Sequence, residues 1–195
     1  KGIFVMDGSK RSGHGNAYFT GFGRNKRIVF FDTLVASLDH DEMEAVLAHE
    51  LGHYKHRHVL KQLALGMIAT LLGLALLGWL AGQHWFYQAL GVTLPSNAAA
   101  LLLFLLVSPV FTQFLQPLHA LISRRHEFEA DNFAREQSGP EPLIRALVKL
   151  YRDNASTLTP DPLYSAFHDS HPPAPLRVAR LSCKTGTEPR STLAQ

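Results

Sequence analysis

"LALGMIATLLGLALLGWLA" (residues 63–81) decides the fold class. It has the length of about 20 predominantly apolar residues that a helix needs to cross hydrocarbon. It also lies in a stretch without charge, since residues 62–123 contain no Asp, Glu, Lys or Arg. Within the same stretch, "NAAALLLFLLVSPVFTQFLQPLHALIS" (residues 97–123) offers a second span. Two core helices of a water-soluble domain would rarely stay uncharged for so long, so the reading is a transmembrane hairpin.

Lys55, Arg57 and Lys61 precede the first span and Arg124 and Arg125 follow the second, whereas the connecting loop carries neither Lys nor Arg. By the positive-inside rule both ends face the cytoplasm, and all that lies outside the hairpin shares that aqueous side. Trp79, Trp85, Phe86 and Tyr87 gather near the far interface, where aromatic rings settle.

The bulk numbers fit a membrane-attached domain. A chain of 195 residues, 46% hydrophobic, can build one core. The net charge of +3 is mostly the chemistry of the membrane flanks, and nothing interleaves basic and aromatic residues as a nucleic-acid partner would require. One cysteine, Cys183, excludes an internal disulfide and fits a reducing compartment. No signal peptide is visible and the first residue is Lys1, so the sequence reads as a fragment.

Four regions follow from the pattern. Residues 1–38 hold strand-like runs, "GIFVM", "NAYFTGFG" and "RIVFFDTL", with a hairpin turn at 23–26, and predict a small antiparallel sheet. Residues 39–62 read as one helix opened by a capping box of Asp39 and Glu42, with no proline to stop it before the first span. Residues 63–122 are the hairpin. Residues 123–195 form a helical region with a break at 138–140, a second amphipathic helix, proline-rich turns and a polar tail. The fold class expected is mainly α, with the small antiparallel β-sheet and the two-helix transmembrane hairpin.

Inside the first helix lies "AHELGHY" (residues 48–54). Residues four apart share a helix face, so His49 and His53 can turn their imidazoles toward one ion while Glu50, on the adjacent flank, stays free to accept a proton from attacking water. With 11 histidines in the chain a bare match is not decisive, and a third ligand is required. His56 stands about 10 Å along the axis from His49, too far for one small ion. The pattern with Gly and His seven and ten residues after the first histidine is absent, because His56 and Val59 stand there. Glu127 in "EFEAD" is the best candidate: it shares a helix face with Asp131, so that one carboxylate could bind metal while the other holds a ligand imidazole. The hairpin topology returns this helix beside the first, so His49, His53 and Glu127 can meet at the membrane surface.

The stretches "GSKRSGHGNAYFTGFGRNKRIVFFDTL", "LAHELGHYKHRH", "RRHEFEADNFA" and "HPPAPLRVARL" resemble, in order and over residues 8–181, the type 1 CAAX prenyl proteases, integral-membrane zinc endopeptidases. The resemblance implies His49, His53 and Glu127 as ligands of one Zn²⁺ per chain, Glu50 as general base and Asp131 behind the ligands. It further implies catalytic His171 and substrate-binding Asn16 and Arg177. Asn16 opens a strand whose edge could pair with a peptide; His171 precedes two prolines that would fix it as an oxyanion donor; Arg177 could anchor a peptide carboxylate or brace the site. The family fold has seven transmembrane helices, so the remaining ones are expected N-terminal to this stretch. The implied partners are the lipid bilayer and a peptide or protein substrate, possibly prenylated, in the bacterial inner membrane or the endoplasmic reticulum membrane. The alternative is a quality-control protease of the HtpX type acting on unprenylated proteins.

Overall fold

Two helices that meet along a seam of small side chains form the frame of the site. The structure, a computed structural model, describes residues 2–10, 13, 15–20, 27–153 and 160–183. Strands β1 (Gly2–Met6), β2 (Ala17–Thr20) and β3 (Arg27–Phe31) lead into a short α1 (Asp32–Ser37) and then α2 (His40–Lys55). The hairpin follows as α3 (His58–Ala81), α4 (His84–Ala89) and α5 (Asn97–Thr112), the last continuing through a 3₁₀ turn (Gln113–Leu115) into α6 (Gln116–Ser138). The chain then forms α7 (Pro140–Asp153), α8 (Pro162–His168) and α9 (Ala174–Ser182). The expected turn at 23–26 and the tail at 184–195 lie outside the described residues.

The sheet differs from the antiparallel one expected. Its order is β1-β3-β2: β2 pairs antiparallel with β3, from Ala17 opposite Phe30 to Thr20 opposite Arg27, but β1 pairs parallel with β3, from Gly2 opposite Arg27 to Met6 opposite Phe31. The reason is an anchor at the far end of both strands. Asp32 accepts the N–H groups of Gly8 at 2.9 Å and Ser9 at 3.0 Å, so the chain leaving β1 is tied where β3 ends. Val29 and Phe30 put the middle strand against the helices, and β2 remains an edge.

The capping box forms, with the Asp39 N–H donating to Glu42 Oε2 at 2.9 Å. The helix it opens does not run into the membrane span as expected. It stops at Lys55, and Arg57 takes φ 56°, a left-handed conformation that is unusual for a residue with a Cβ. No glycine or proline marks this break.

Gly52 lets α2 and α6 approach, since a Cβ there would lie 2.9 Å from the Ala130 Cα. Ala45, Ala48 and Ala134 continue that packing with Leu143 and Leu147 of α7 and Leu181 of α9, and Phe30, Leu34, Leu38, Val46 and Ala146 join sheet to helices. Charge clamps α7 onto the start of α2: buried Glu42 accepts from Lys149 Nζ at 2.6 Å and from Arg145 Nε at 3.3 Å. Gly139, at φ 78°, takes a positive-φ backbone that favours glycine and ends α6 before α7.

Two helices, His58–Ala81 and the continuous Asn97–Ser138, are long and apolar enough to cross a membrane. Leu71, Leu72, Leu105, Leu106 and Phe111 are exposed along them, an apolar surface far larger than a water-facing domain carries. Pro117 near the start of α6 lacks an N–H and crowds the preceding turn, which tightens to 3₁₀ geometry there. The aromatic cluster at the tip divides: Trp79 and Trp85 are exposed, whereas Phe86 and Tyr87 pack with Ala100 as a small core.

Candidate active site

Along α2 the four-residue spacing brings His49 and His53 onto the flank that faces α6, and α6 presents Glu127 to them. His49 Nε2 lies 3.2 Å from His53 Nε2, His53 Nε2 lies 3.4 Å from Glu127 Oε1, and His49 Nε2 lies 3.6 Å from Glu127 Oε2. Ligand atoms about 2.05 Å from a tetrahedral zinc stand about 3.3 Å apart, and the triangle matches that size. Two imidazole nitrogens facing each other at such a distance need a cation or a proton between them.

Glu127 Oε2 is a second sign that a cation fits. It is buried without a hydrogen bond of adequate angle, and its nearest nitrogens are His171 Nδ1 at 3.1 Å, Arg177 Nη1 at 3.5 Å and His49 Nε2. His49, His53 and Glu127 together could hold a metal ion. Burial opposes protonation of His49, but Asp131 and Glu127 outweigh it and push its pKa up to about 9, so a proton and a metal compete for this nitrogen.

Asp131, one turn beyond Glu127 on α6, stands behind His49. Its Oδ1 is 3.0 Å from His49 Nδ1, a close charge contact although its angle falls short of a full hydrogen bond. The same carboxylate accepts a fork from Arg177, Nε at 2.9 Å and Nη2 at 2.5 Å. Arg177 is buried, and burial that would discharge it is outweighed by Asp131. Of the two roles expected for Arg177, this engagement fits bracing and leaves no free fork for a substrate carboxylate.

Glu50 projects into a cleft of about 330 Å³ together with His49, Glu127, Asn16, His171 and Arg177. Burial pushes its carboxyl above the ordinary value, making it a stronger base than a solvated glutamate. Asn16 precedes β2 at the exposed rim, and its carbonyl accepts the Phe31 N–H at 2.9 Å, extending the ladder to the mouth of the cleft. His171 is exposed above Glu127, whose carboxylate raises its pKa. Two other clefts of similar size, beside His119 and beside Arg124, lack this convergence of base and ligand types.

Three residues near the site carried no sequence signal. Tyr151 of α7 lines the cleft and donates its hydroxyl to the Pro172 carbonyl at 3.3 Å, holding the turn that carries His171. His58 and Glu129 sit behind His53, His58 by virtue of the break at Arg57. His126 is buried against the His58 ring.

Residues 1–185 match the model of peptidase family M48. The chain is 40% identical over 200 residues to CAAX prenyl protease 1 of Saccharomyces cerevisiae, covering 92% of this chain and 43% of that protein. It is 32% identical over 218 residues to the human CAAX prenyl protease 1 homolog, covering 92% and 46%. The crystal structure of S. mikatae Ste24p superposes with a TM-score of 0.81 at 38% identity, over 92% of this chain and 46% of that one. The chain thus spans less than half the length of these relatives.

Proposed function

This chain belongs to peptidase family M48, and from that premise we propose that it is a membrane-embedded zinc metalloendopeptidase cleaving near the C-terminus of prenylated CAAX-type peptides. The observation that carries the reading is the triangle of His49 Nε2, His53 Nε2 and Glu127, with Glu50 in the same cleft. One zinc per chain, held by those three residues, would supply a Lewis acid toward the scissile carbonyl and lower the pKa of water toward about 7.

The chain's own groups divide the remaining tasks. Glu50 takes a proton from the attacking water and delivers it to the leaving amine, and its raised basicity suits both transfers. His171, whose pKa Glu127 raises, donates toward the oxyanion that develops at the carbonyl. Asn16 hydrogen-bonds a substrate carbonyl while the extended peptide pairs with the β2 edge. Asp131, braced by Arg177, keeps the His49 lone pair aimed at the metal.

The hairpin spans the bilayer with the site on its cytoplasmic side, where Lys55, Arg57, Lys61, Arg124 and Arg125 meet the lipid surface. A prenyl chain would then lie in hydrocarbon while the peptide reaches the cleft. The test is cleavage of matched farnesylated and unprenylated CAAX peptides by the purified membrane protein. Faster cleavage of the farnesylated peptide is expected; equal rates would favour the quality-control alternative, and hydrolysis of neither would overturn the assignment.

A further inference from the structure

Between the metal-facing helix and the first span, the chain does something that its sequence does not announce. A continuous helix would carry residues five apart to different faces, so His58 would point away from His53. The left-handed Arg57 ends α2, restarts the helix and folds His58 back beneath His53. Backbone held in this sparsely populated region is found where the surrounding structure makes use of it.

The contacts made by His58 are specific. It is 2% exposed, its Nδ1 lies 3.0 Å from His53 Nδ1, and its Nε2 lies 3.0 Å from Glu129 Oε2. His126 stacks on one side at 4.1 Å between ring centroids and 12° between planes; His56 stacks at 5.6 Å and 15°. The ring is therefore fixed in position and in plane. Arg125 Nε, 3.5 Å from Glu129 Oε1, holds the carboxylate at the end of the series.

We propose that His58 and Glu129 are positioning residues that set the tautomer and orientation of His53, in a relay running from Glu129 through His58 to His53. The proposal rests on the reading of His53 as a metal ligand. A neutral imidazole carries one proton, so if His53 Nε2 offers its lone pair to the metal, its proton is on Nδ1. That N–H faces His58 Nδ1, which must accept. His58 then carries its own proton on Nε2 and donates it to Glu129. Each hydrogen bond dictates the next, and the reverse arrangement would protonate the nitrogen that faces the metal.

Both ligand imidazoles thus have a carboxylate behind them by different routes. His49 meets Asp131 directly, whereas His53 reaches Glu129 through a second imidazole. His56, His58 and Glu129 lie close enough to suggest a second metal site. The relay excludes it, because His58 then has one nitrogen accepting and one donating and retains no lone pair for an ion.

The test compares wild type, His58→Phe, His58→Asn and Glu129→Ala in the purified membrane protein, by zinc affinity against a competing chelator and by melting of the metal-free form. Phenylalanine keeps the stack but removes both hydrogen bonds, and should weaken zinc binding about 10- to 100-fold, the usual consequence of losing a group that orients a ligand. Asparagine, whose side-chain oxygen can accept from His53, should recover part of that loss, and Glu129→Ala should weaken binding in the same direction. Nitrogen-15 spectra of the wild-type histidines should show His53 protonated at Nδ1 and His58 at Nε2, a readout that needs no variant to fold. Wild-type affinity in His58→Phe, or the opposite tautomers, would overturn the relay and leave the metal site intact. A wild type that takes up no zinc would overturn the metal site and the relay together.

Discussion

Gly52 and Ala130 are in backbone contact: a Cβ added to Gly52 would lie 2.9 Å from the Ala130 Cα and 3.2 Å from its carbonyl oxygen. Since Gly52 sits one residue before His53 and Ala130 three after Glu127, this contact sets the spacing between the ligand-bearing faces of α2 and α6. Alanine has the better helix propensity by about 1 kcal/mol. Gly52→Ala is nonetheless expected to destabilise the fold by about 1–3 kcal/mol, because the backbone it meets cannot swing aside. It should also weaken zinc binding; a higher melting temperature with unchanged zinc affinity would contradict this account.

Glu42 makes stability depend on acid. Burial alone would raise its carboxyl, but bonds from Lys149, the Asp39 N–H and Arg145 outweigh that and hold it below the ordinary value of 4.5. A carboxyl depressed in the folded state stabilises fully above its unfolded pKa, and that contribution is lost as pH falls through the folded value. Chemical unfolding followed downward from pH 6 should show stability decreasing below about 4.5, with a shallower decrease in Glu42→Gln. Equal acid slopes would show that this cluster contributes nothing to the pH dependence.

Lys149→Met leaves Glu42 buried with Arg145 as its remaining cationic partner. Because Glu42 is buried and Lys149 is its nearer cation, the variant is expected to unfold at a lower denaturant concentration than wild type, and an unchanged midpoint would contradict the clamp.

Asp131→Asn replaces a charged neighbour of His49 by a neutral one and weakens the fork from Arg177. Zinc affinity is expected to fall about 10- to 100-fold, read by chelator competition. An unchanged affinity would mean that His49 needs no carboxylate behind it.

His171→Ala should lower kcat by about 10²–10³ while leaving zinc content intact, since its task is the oxyanion and not the metal. Loss of zinc in this variant would instead make His171 part of the metal's support.

Much of this site was legible in the chain before folding. His49, Glu50 and His53 follow from helical periodicity, and Glu127 and Asp131 from the same spacing combined with a hairpin that must return to its starting side. Asp39 and Glu42 marked the helix start by local hydrogen bonding alone. What escaped depends on contacts distant in sequence or on unmarked backbone. The parallel pairing of β1 with β3 is set by Asp32 reaching back to Gly8 and Ser9, which no strand pattern reveals. The break at Arg57 lacks glycine or proline, so residues 39–62 read as one helix and the approach of His58 to His53 carried no signal. Sequence left Arg177 open between anchoring a substrate carboxylate and bracing the site, because its partner Asp131 lies 46 residues away.

The central claim, that His49, His53 and Glu127 hold a zinc ion beside a glutamate base, is tested most directly by zinc content and peptide cleavage measured together on wild type and Glu50→Gln. The account predicts one zinc per chain in both proteins and hydrolysis in the wild type alone. Normal hydrolysis by Glu50→Gln, or a wild type active without metal, would contradict it.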